Sequence, residues 1–122
     1  MASAIELERV PGSYAVCRLE PDAPTPAWAE GGAGFRSVTR TDHELSIVCP
    51  ADAVPQDAGA DRGWACLRVR GTLDLNQTGI AAALTAPLAD ANVPVLVIAT
   101  HDTDYLFVRE ADLDRLPHPW HP

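Results

Sequence analysis

The stretch that decides the fold is WACLRVRGTLDLNQTGIAAALTAPLADANVPVLVIATHDTDYLFVREADLDRL, residues 64–116. At its start the apolar residues Ala65, Leu67 and Val69 alternate with positions that include Arg68 and Arg70. This alternation predicts a strand with one buried and one solvent-facing side. Apolar residues then recur at every fourth position from 80 to 88, which predicts an amphipathic helix. The stretch therefore begins as a strand followed by a helix.

The ends of this helix and the segment after it are also marked in the sequence. Asn76 or Thr78 can cap the helix, and Pro87 predicts a kink or an early end. Asn92 suits the left-handed residue that closes a helix. Residues 93–100 are almost all apolar, which predicts a central strand buried on both faces.

A hairpin and a short helix complete this half of the chain. The polar turn at 101–104 precedes a return strand at 105–109, and residues 110–116 predict a short helix with acidic residues early and Arg115 late. The whole stretch thus has the order β-α-β-β-α. This order is most of the ferredoxin-like plan.

The first half offers the same kinds of element more faintly. Alternation predicts three strands, at residues 14–20, 35–40 and 45–49, with a very short helical segment at 27–30. Residues 50–63 are rich in Ala, Asp, Pro and Gly, which favours a linker. The sequence therefore predicts two small α/β halves.

Composition excludes several classes of function. The 122-residue chain has a net charge of −8, which opposes binding to nucleic acid or to an anionic membrane. Its nine basic residues are all arginine, so lysine chemistry is excluded. Three widely spaced cysteines, the lack of a signal sequence at the N-terminus and the short apolar run at 93–99 predict a cytoplasmic protein with buried free thiols.

Sequence signals for catalysis, cofactors and metals are weak. The chain has no nucleophile elbow, phosphate-binding loop or dinucleotide fingerprint, and none of its four histidines has a partner at motif spacing. We therefore predict no cofactor. His118 and His121 lie in a proline-rich tail, which favours solvated side chains over a metal site.

The segment before the predicted helix suggests a small ligand with both charges. Gly79 lies at the helix entrance, where unpaired N–H groups suit a carboxylate and the missing side chain allows close approach. Asp104 follows the second strand and can hold an ammonium group. The same residues also have a structural explanation, in which Gly79 permits close helix–sheet packing and Asp104 bonds its own turn. Spacing alone leaves both explanations open.

Several motifs together resemble a known family. They are SVTRT at 37–41, ELSIVCP at 44–50, GTLD at 71–74, TGI at 78–80 and THDTDY at 100–105. In this order they are similar to the ACT-domain family that includes an arginine sensor and aspartate kinase. The resemblance covers residues 14–116.

The resemblance implies an α+β, ferredoxin-like fold of two tandem ACT-like modules side by side, at residues 1–54 and 62–117. It also implies a non-catalytic sensor that binds a free amino acid or related small metabolite where the two modules meet. The implied ligand-binding residues are Ser37 and Val38 through their backbone, Gln77 beside the ligand side chain, Gly79, Ile80 and Ala81 through helix-entrance amides, Thr100 and His101 as lining, and Asp104 for the amino group.

Two other functions stay open. The chain can be a protein-interaction module that has lost its ligand pocket, or a small enzyme that uses His101 with Asp102 or Asp104 as acid and base. For the sensor with two ACT-like modules, unused strand edges in so small a unit predict a homodimer.

Overall fold

The computed structural model of the chain describes residues 5–117 and Trp120. In these residues it has six strands and one α-helix: β1 (Leu7–Leu19), β2 (Ser37–Arg40), β3 (Leu45–Pro50), β4 (Ala60–Val69), α1 (Ile80–Asp90), β5 (Val95–Ala99) and β6 (Asp104–Arg109). Short 3-10 helices lie at Ala27–Ala29, Ala51–Ala53 and Glu110–Arg115. Contacts divide the chain into an N-terminal unit, Pro11–Trp64, and a C-terminal unit, Met1–Val10 with Ala65–Pro122. The predicted modules 1–54 and 62–117, and their tandem arrangement, stay predictions.

In the C-terminal unit the hydrogen-bonded strands follow the order β1-β4-β6-β5, and α1 connects β4 to β5. This confirms the predicted run of strand, helix, strand and strand. The predicted buried side of β4 is confirmed, because Ala65, Leu67 and Val69 are buried. The predicted solvent-facing side was wrong in part, because Trp64 and Cys66 on that side are buried as well. The side chains of Ala65, Leu67 and Val69 form a core with buried residues of α1, β6 and the chain end: Leu84, Leu88, Val93, Leu106, Val108, Leu116 and Trp120.

The start of α1 differs from the sequence prediction. Its N-cap is Gly79, with φ at 81° and no side-chain capping bond. Asn76 and Thr78 were therefore wrong as caps. Asn76 instead donates its backbone N–H to Oδ1 of Asp74 at 2.9 Å, which holds it in the preceding turn.

The end of α1 follows the sequence more closely. The helix passes through Pro87 to Asp90, so the alternative of an early end was wrong. Asn92 has φ at 58°, which confirms the predicted left-handed residue. Arg115 donates from Nη2 to the carbonyls of Ala91 and Asn92, at 2.8 and 2.9 Å. These bonds satisfy carbonyl groups just beyond the helix end.

One further prediction for this unit was wrong and another was confirmed. The apolar run at 93–100 was expected to be a central strand, but β5 ends the strand order and pairs with β6 alone. The expected short helix at 110–116 is present as a 3-10 helix at Glu110–Arg115, with acidic residues in its first turn and Arg115 in its last. Pro117 disfavours helical backbone at Leu116, which limits the length of any helix here.

In the N-terminal unit the strand order is β2-β3-β1-β4. The antiparallel pairing of β1 with β3 runs from Tyr14 opposite Pro50 to Leu19 opposite Leu45. Apolar side chains from these strands and from the short connections form the second core: Ala15, Cys17, Ala29, Leu45, Ile47, Cys49 and Val54. The predicted linker at 50–63 contains a 3-10 helix and the first residues of β4.

Candidate functional site

A cavity of about 290 Å³ opens in the C-terminal unit. Its volume is close to the lower limit for small-molecule pockets, which suits a ligand the size of one metabolite. The lining comes from the β4–α1 connection with the start of α1, and from the β5–β6 turn with its flanking strand ends: Leu73, Asp74, Leu75, Gln77, Gly79, Ile80, Ala81, Ala99, Thr100, His101, Thr103 and Asp104.

The first wall of the cavity is a turn built on Asp74. Its Oδ1 accepts the Asn76 N–H, and its carbonyl accepts the Gln77 N–H at 3.0 Å. The Leu73 N–H donates to the carbonyl of Asp102 at 2.6 Å, which joins this wall to the β5–β6 turn. Asp74 is therefore used locally to shape the wall.

The entrance of α1 forms the floor of the site. The Ala83 N–H donates to the carbonyl of Gly79 at 3.0 Å, and this is the first bond of the helix. The N–H groups of Ile80 and Ala81 precede that bond and have no partner within the helical pattern. A Cβ added at Gly79 would meet no atom within 4 Å. Close helix–sheet packing is thus the wrong explanation for Gly79, whose positive φ is the structural requirement and whose open side leaves room for a ligand.

The second wall depends on Thr103, which the sequence analysis missed. Thr103 is only 3% exposed, and its Oγ1 donates to the carbonyl of Val69 at 2.9 Å. The carbonyl of Thr103 accepts two hydrogen bonds from Thr100, one from its N–H and one from its Oγ1 hydroxyl, each at 2.9 Å. These bonds fix the β5–β6 turn against the end of β4. The position of Thr103 in the polar turn was the one available signal, since its partner Val69 is distant in sequence.

The charged residues that line the cavity favour a cationic group of a ligand over an anionic one. The lining includes the carboxylates of Asp74 and Asp104 and no arginine. His101 Nδ1 lies 2.9 Å from Oδ1 of Asp102, with the two side chains 85% and 65% exposed. Such an exposed pair does not exclude water, which weakens the acid–base interpretation. The helix-entrance amides are the groups suited to a carboxylate.

Burial of the three cysteines disfavours thiol chemistry. Cys17, Cys49 and Cys66 are free and buried, as predicted. Burial raises the pKa of all three thiols, that of Cys66 to about 12. Each is therefore a neutral thiol at physiological pH, which is a poor nucleophile.

The cavity brings together most of the residues that the sequence analysis selected. Gln77, Gly79, Ile80, Ala81, Thr100, His101 and Asp104 all line it. Ser37 and Val38 lie in β2 of the N-terminal unit and are not among the lining residues. The binding role of all nine residues stays a prediction.

The described part of the chain contains neither a candidate metal cluster nor a helix that could span a membrane. Residues 5–117 and Trp120 contain no group of three or more His, Cys, Asp or Glu side chains placed to hold a metal. The tail histidines His118 and His121 lie outside the described residues. In the same described range, no helix has both the length and the apolar character needed to span a bilayer.

The chain matches two protein-family models and several known proteins. A family model described as an ACT domain matches residues 59–115, and one described as an N-terminal domain matches residues 12–57. Protein Atu0741 from Agobacterium tumefaciens has a similar structure, with a TM-score of 0.86 and 43% identity over 94% of this chain and 85% of that one.

Two further matches are a sensor protein that is similar in sequence and an enzyme that shares the fold. Cytosolic arginine sensor for mTORC1 subunit 1 from Rattus norvegicus is 46% identical over 94 residues, 69% of this chain and 28% of the relative. Aspartate kinase from Clostridium acetobutylicum shares the fold, with a TM-score of 0.65 and 14% identity over 92% of this chain and 32% of that one. The chain spans less than two thirds of the length of the curated relatives that it matches.

Proposed function

Because the chain belongs to the ACT-domain family of the cytosolic arginine sensor, we propose that it is a non-catalytic regulatory domain that binds a free amino acid. One observation carries the proposal: a single cavity is lined by the N-terminal residues of α1 and by Asp104. A free amino acid needs a hydrogen-bond donor set for its carboxylate and an acceptor for its ammonium group. This cavity supplies both.

The residues divide the ligand between them as follows. The N–H groups of Ile80 and Ala81 hold the carboxylate, helped by the positive end of the α1 dipole. Asp104 accepts hydrogen bonds from the ammonium group. The other aspartate in the lining, Asp74, already accepts the Asn76 N–H within its own turn. Gln77 and Thr100 offer neutral polar groups to the ligand side chain.

The proposed compartment is the cytosol. The rat relative is named as cytosolic. Three buried free cysteines fit a reducing compartment.

The proposal is tested by thermal unfolding of the chain with each of the twenty amino acids. A ligand at a hundred times its Kd adds about 2.7 kcal/mol to the free energy of unfolding, which raises the melting temperature measurably. Asp104→Asn should weaken binding by about tenfold to a hundredfold, because a charged hydrogen bond is lost. Asp90→Asn is the matched control, an exposed aspartate of the same unit that does not line the cavity.

Three results would reject the proposal. If no amino acid raises the melting temperature, the interaction module becomes the better explanation, and a stable protein partner should then be found. If both aspartate variants lose affinity equally, the ligand lies elsewhere. If the bound compound is converted and His101→Ala abolishes that turnover without changing affinity, the chain is an enzyme.

A further inference from the structure

Arg36 binds no carboxylate among the described residues, although the chain has seventeen acidic residues. Its guanidinium has one described hydrogen-bond acceptor, the carbonyl of Trp28, to which Nη1 donates at 2.9 Å. Arg36 is half-buried, and burying a charge without a counterion costs free energy. Several other arginines do bind carboxylates: Arg18 binds Glu20, Arg68 and Arg70 bind Glu8, and Arg115 binds Asp112.

The Nε–Nη2 edge of this guanidinium is the part that lacks acceptors. The Nε atom of Arg36 is buried and has no hydrogen-bond partner among the described residues. Nη2 lies against Gly32, since a Cβ built on this glycine would be 3.0 Å from it. With such an edge an arginine holds a carboxylate or a phosphate through two parallel hydrogen bonds. A buried donor without an acceptor is unfavourable, so an acceptor supplied by a ligand is favoured here.

Residues 31–34, GGAG, form a glycine loop beside this edge and offer further donors. Their backbone N–H groups donate to no described residue, and all four residues are exposed. Gly31 and Gly32 have φ at 80° and 81°, a backbone that glycine adopts without strain. The end of the loop is fixed, because the Phe35 N–H donates to Oη of Tyr14 at 3.0 Å. Successive backbone N–H groups in such a loop can form a concave site for an anion.

Local charge indicates which anion suits this loop. Between residues 23 and 37 the charged side chains are those of Arg36 and Glu30, and Glu30 is exposed, so solvent weakens its repulsion of an anion. The net charge of −8 opposes a polyanion that contacts much of the surface, but a small anion meets this local cation alone. Donors on two sides, the guanidinium edge and the loop, suit the four oxygens of a tetrahedral anion better than the two oxygens of a planar carboxylate.

We propose that Arg36 and the glycine loop form a binding site for a phosphate group, either inorganic phosphate or the phosphate of a small monoester. The Nε–Nη2 edge of Arg36 donates two hydrogen bonds to phosphate oxygens, and N–H groups of the loop donate to the others. The loop moves off the guanidinium edge to admit the ligand, which its exposed glycines permit. All residues of the site belong to the N-terminal unit. The proposal therefore stands whether or not the cavity of the C-terminal unit binds an amino acid.

The test is titration of the full chain with inorganic phosphate at constant ionic strength, followed by NMR through the amide signals of residues 31–35. We expect saturable shifts of these signals. Arg36→Gln should weaken phosphate affinity by about tenfold or more, because charged hydrogen bonds are lost. Arg40→Gln is the matched control, since Arg40 is the last residue of β2 and likewise donates to a carbonyl, that of Pro21. It removes the same charge and should change affinity by less than about twofold.

A second pair of variants keeps the guanidinium and decides the matter if Arg36→Gln does not fold. Gly31→Ala and Gly32→Ala carry the same backbone strain, because the two glycines have nearly the same positive φ. A Cβ at Gly32 lies 3.0 Å from Nη2 of Arg36, whereas one at Gly31 meets no atom within 4 Å. We therefore expect Gly32→Ala to bind phosphate several-fold more weakly than Gly31→Ala does.

Titrations with glycerol 3-phosphate and with acetate identify the form of the ligand. Glycerol 3-phosphate should bind at least as tightly as inorganic phosphate if the site takes a monoester, and acetate should bind more weakly than both. The proposal is overturned by shifts that do not saturate, by equal losses in Arg36→Gln and Arg40→Gln, by equal affinities of the two glycine variants, or by acetate that binds as tightly as phosphate.

Discussion

Replacing Thr103 with valine tests whether the hydroxyl group of this buried residue holds the cavity wall in place. The side chain is 3% exposed, and its Oγ1 donates to the carbonyl of Val69 at 2.9 Å. Valine has nearly the same shape, so Thr103→Val removes the hydrogen bond without opening a large cavity. The loss of a buried hydrogen bond contributes about 1 kcal/mol, and an unsatisfied carbonyl adds to it. We expect the free energy of unfolding to fall by about 1–2 kcal/mol.

The assay is equilibrium unfolding in urea, in which the midpoint should fall while the slope stays unchanged. For a chain of this length the melting temperature should fall by about 4–10 °C. Thr85→Val is the matched control, because Oγ1 of Thr85 donates to the carbonyl of Ala81 at 2.8 Å on the more exposed side of α1. An exposed bond of this kind should change stability by less than about 0.5 kcal/mol.

The comparison of the two threonine variants decides the matter. If Thr103→Val and Thr85→Val shift the urea midpoint equally, burial does not strengthen the Thr103 bond. The β5–β6 turn is then held by its own local bonds, and Thr103 has no special place in the wall.

Three other variants test features beside the cavity. Cys66→Ala should reduce the loss of stability at alkaline pH. Burial raises the pKa of the Cys66 thiol from 9.0 to about 12, so the unfolded chain releases this proton at a lower pH than the folded chain does. The free energy of unfolding therefore falls as the pH rises between these two values, by at most about 1.4 kcal/mol per pH unit. Urea midpoints from pH 8 upward measure that slope, and an identical slope in the variant would contradict the assignment. Arg115→Met should lower the free energy of unfolding by about 1 kcal/mol, because it removes the bonds to the carbonyls of Ala91 and Asn92; an unchanged urea midpoint would show these bonds to be without effect. Gly79→Ala should destabilise by about 1 kcal/mol through its positive φ, and Gly79→Asn by less, since asparagine tolerates that backbone; equal melting temperatures for the two variants would argue against strain.

Local patterns explain which parts of the fold the sequence could predict. The buried side formed by Ala65, Leu67 and Val69 could be predicted from neighbouring residues alone, and the structure confirms it. The burial of Cys66 on the opposite side depends on distant residues and was not predicted. Asn92 was predicted from its tolerance of positive φ, which is a property of the residue itself. The binding residues were selected partly from local signals, a glycine at a helix entrance and a polar turn after a strand. Most of the selected residues line one cavity.

Features that depend on residues distant in the sequence could not be predicted from local patterns. An apolar run such as 93–100 predicts a strand, but it does not say how many neighbours the strand has, and β5 is at an edge. β1 begins at Leu7, although Pro11 and Gly12 argue against a continuous strand there. The alternation in the sequence predicted a strand only from Tyr14 onward. Thr103 was missed because its role depends on the carbonyl of Val69.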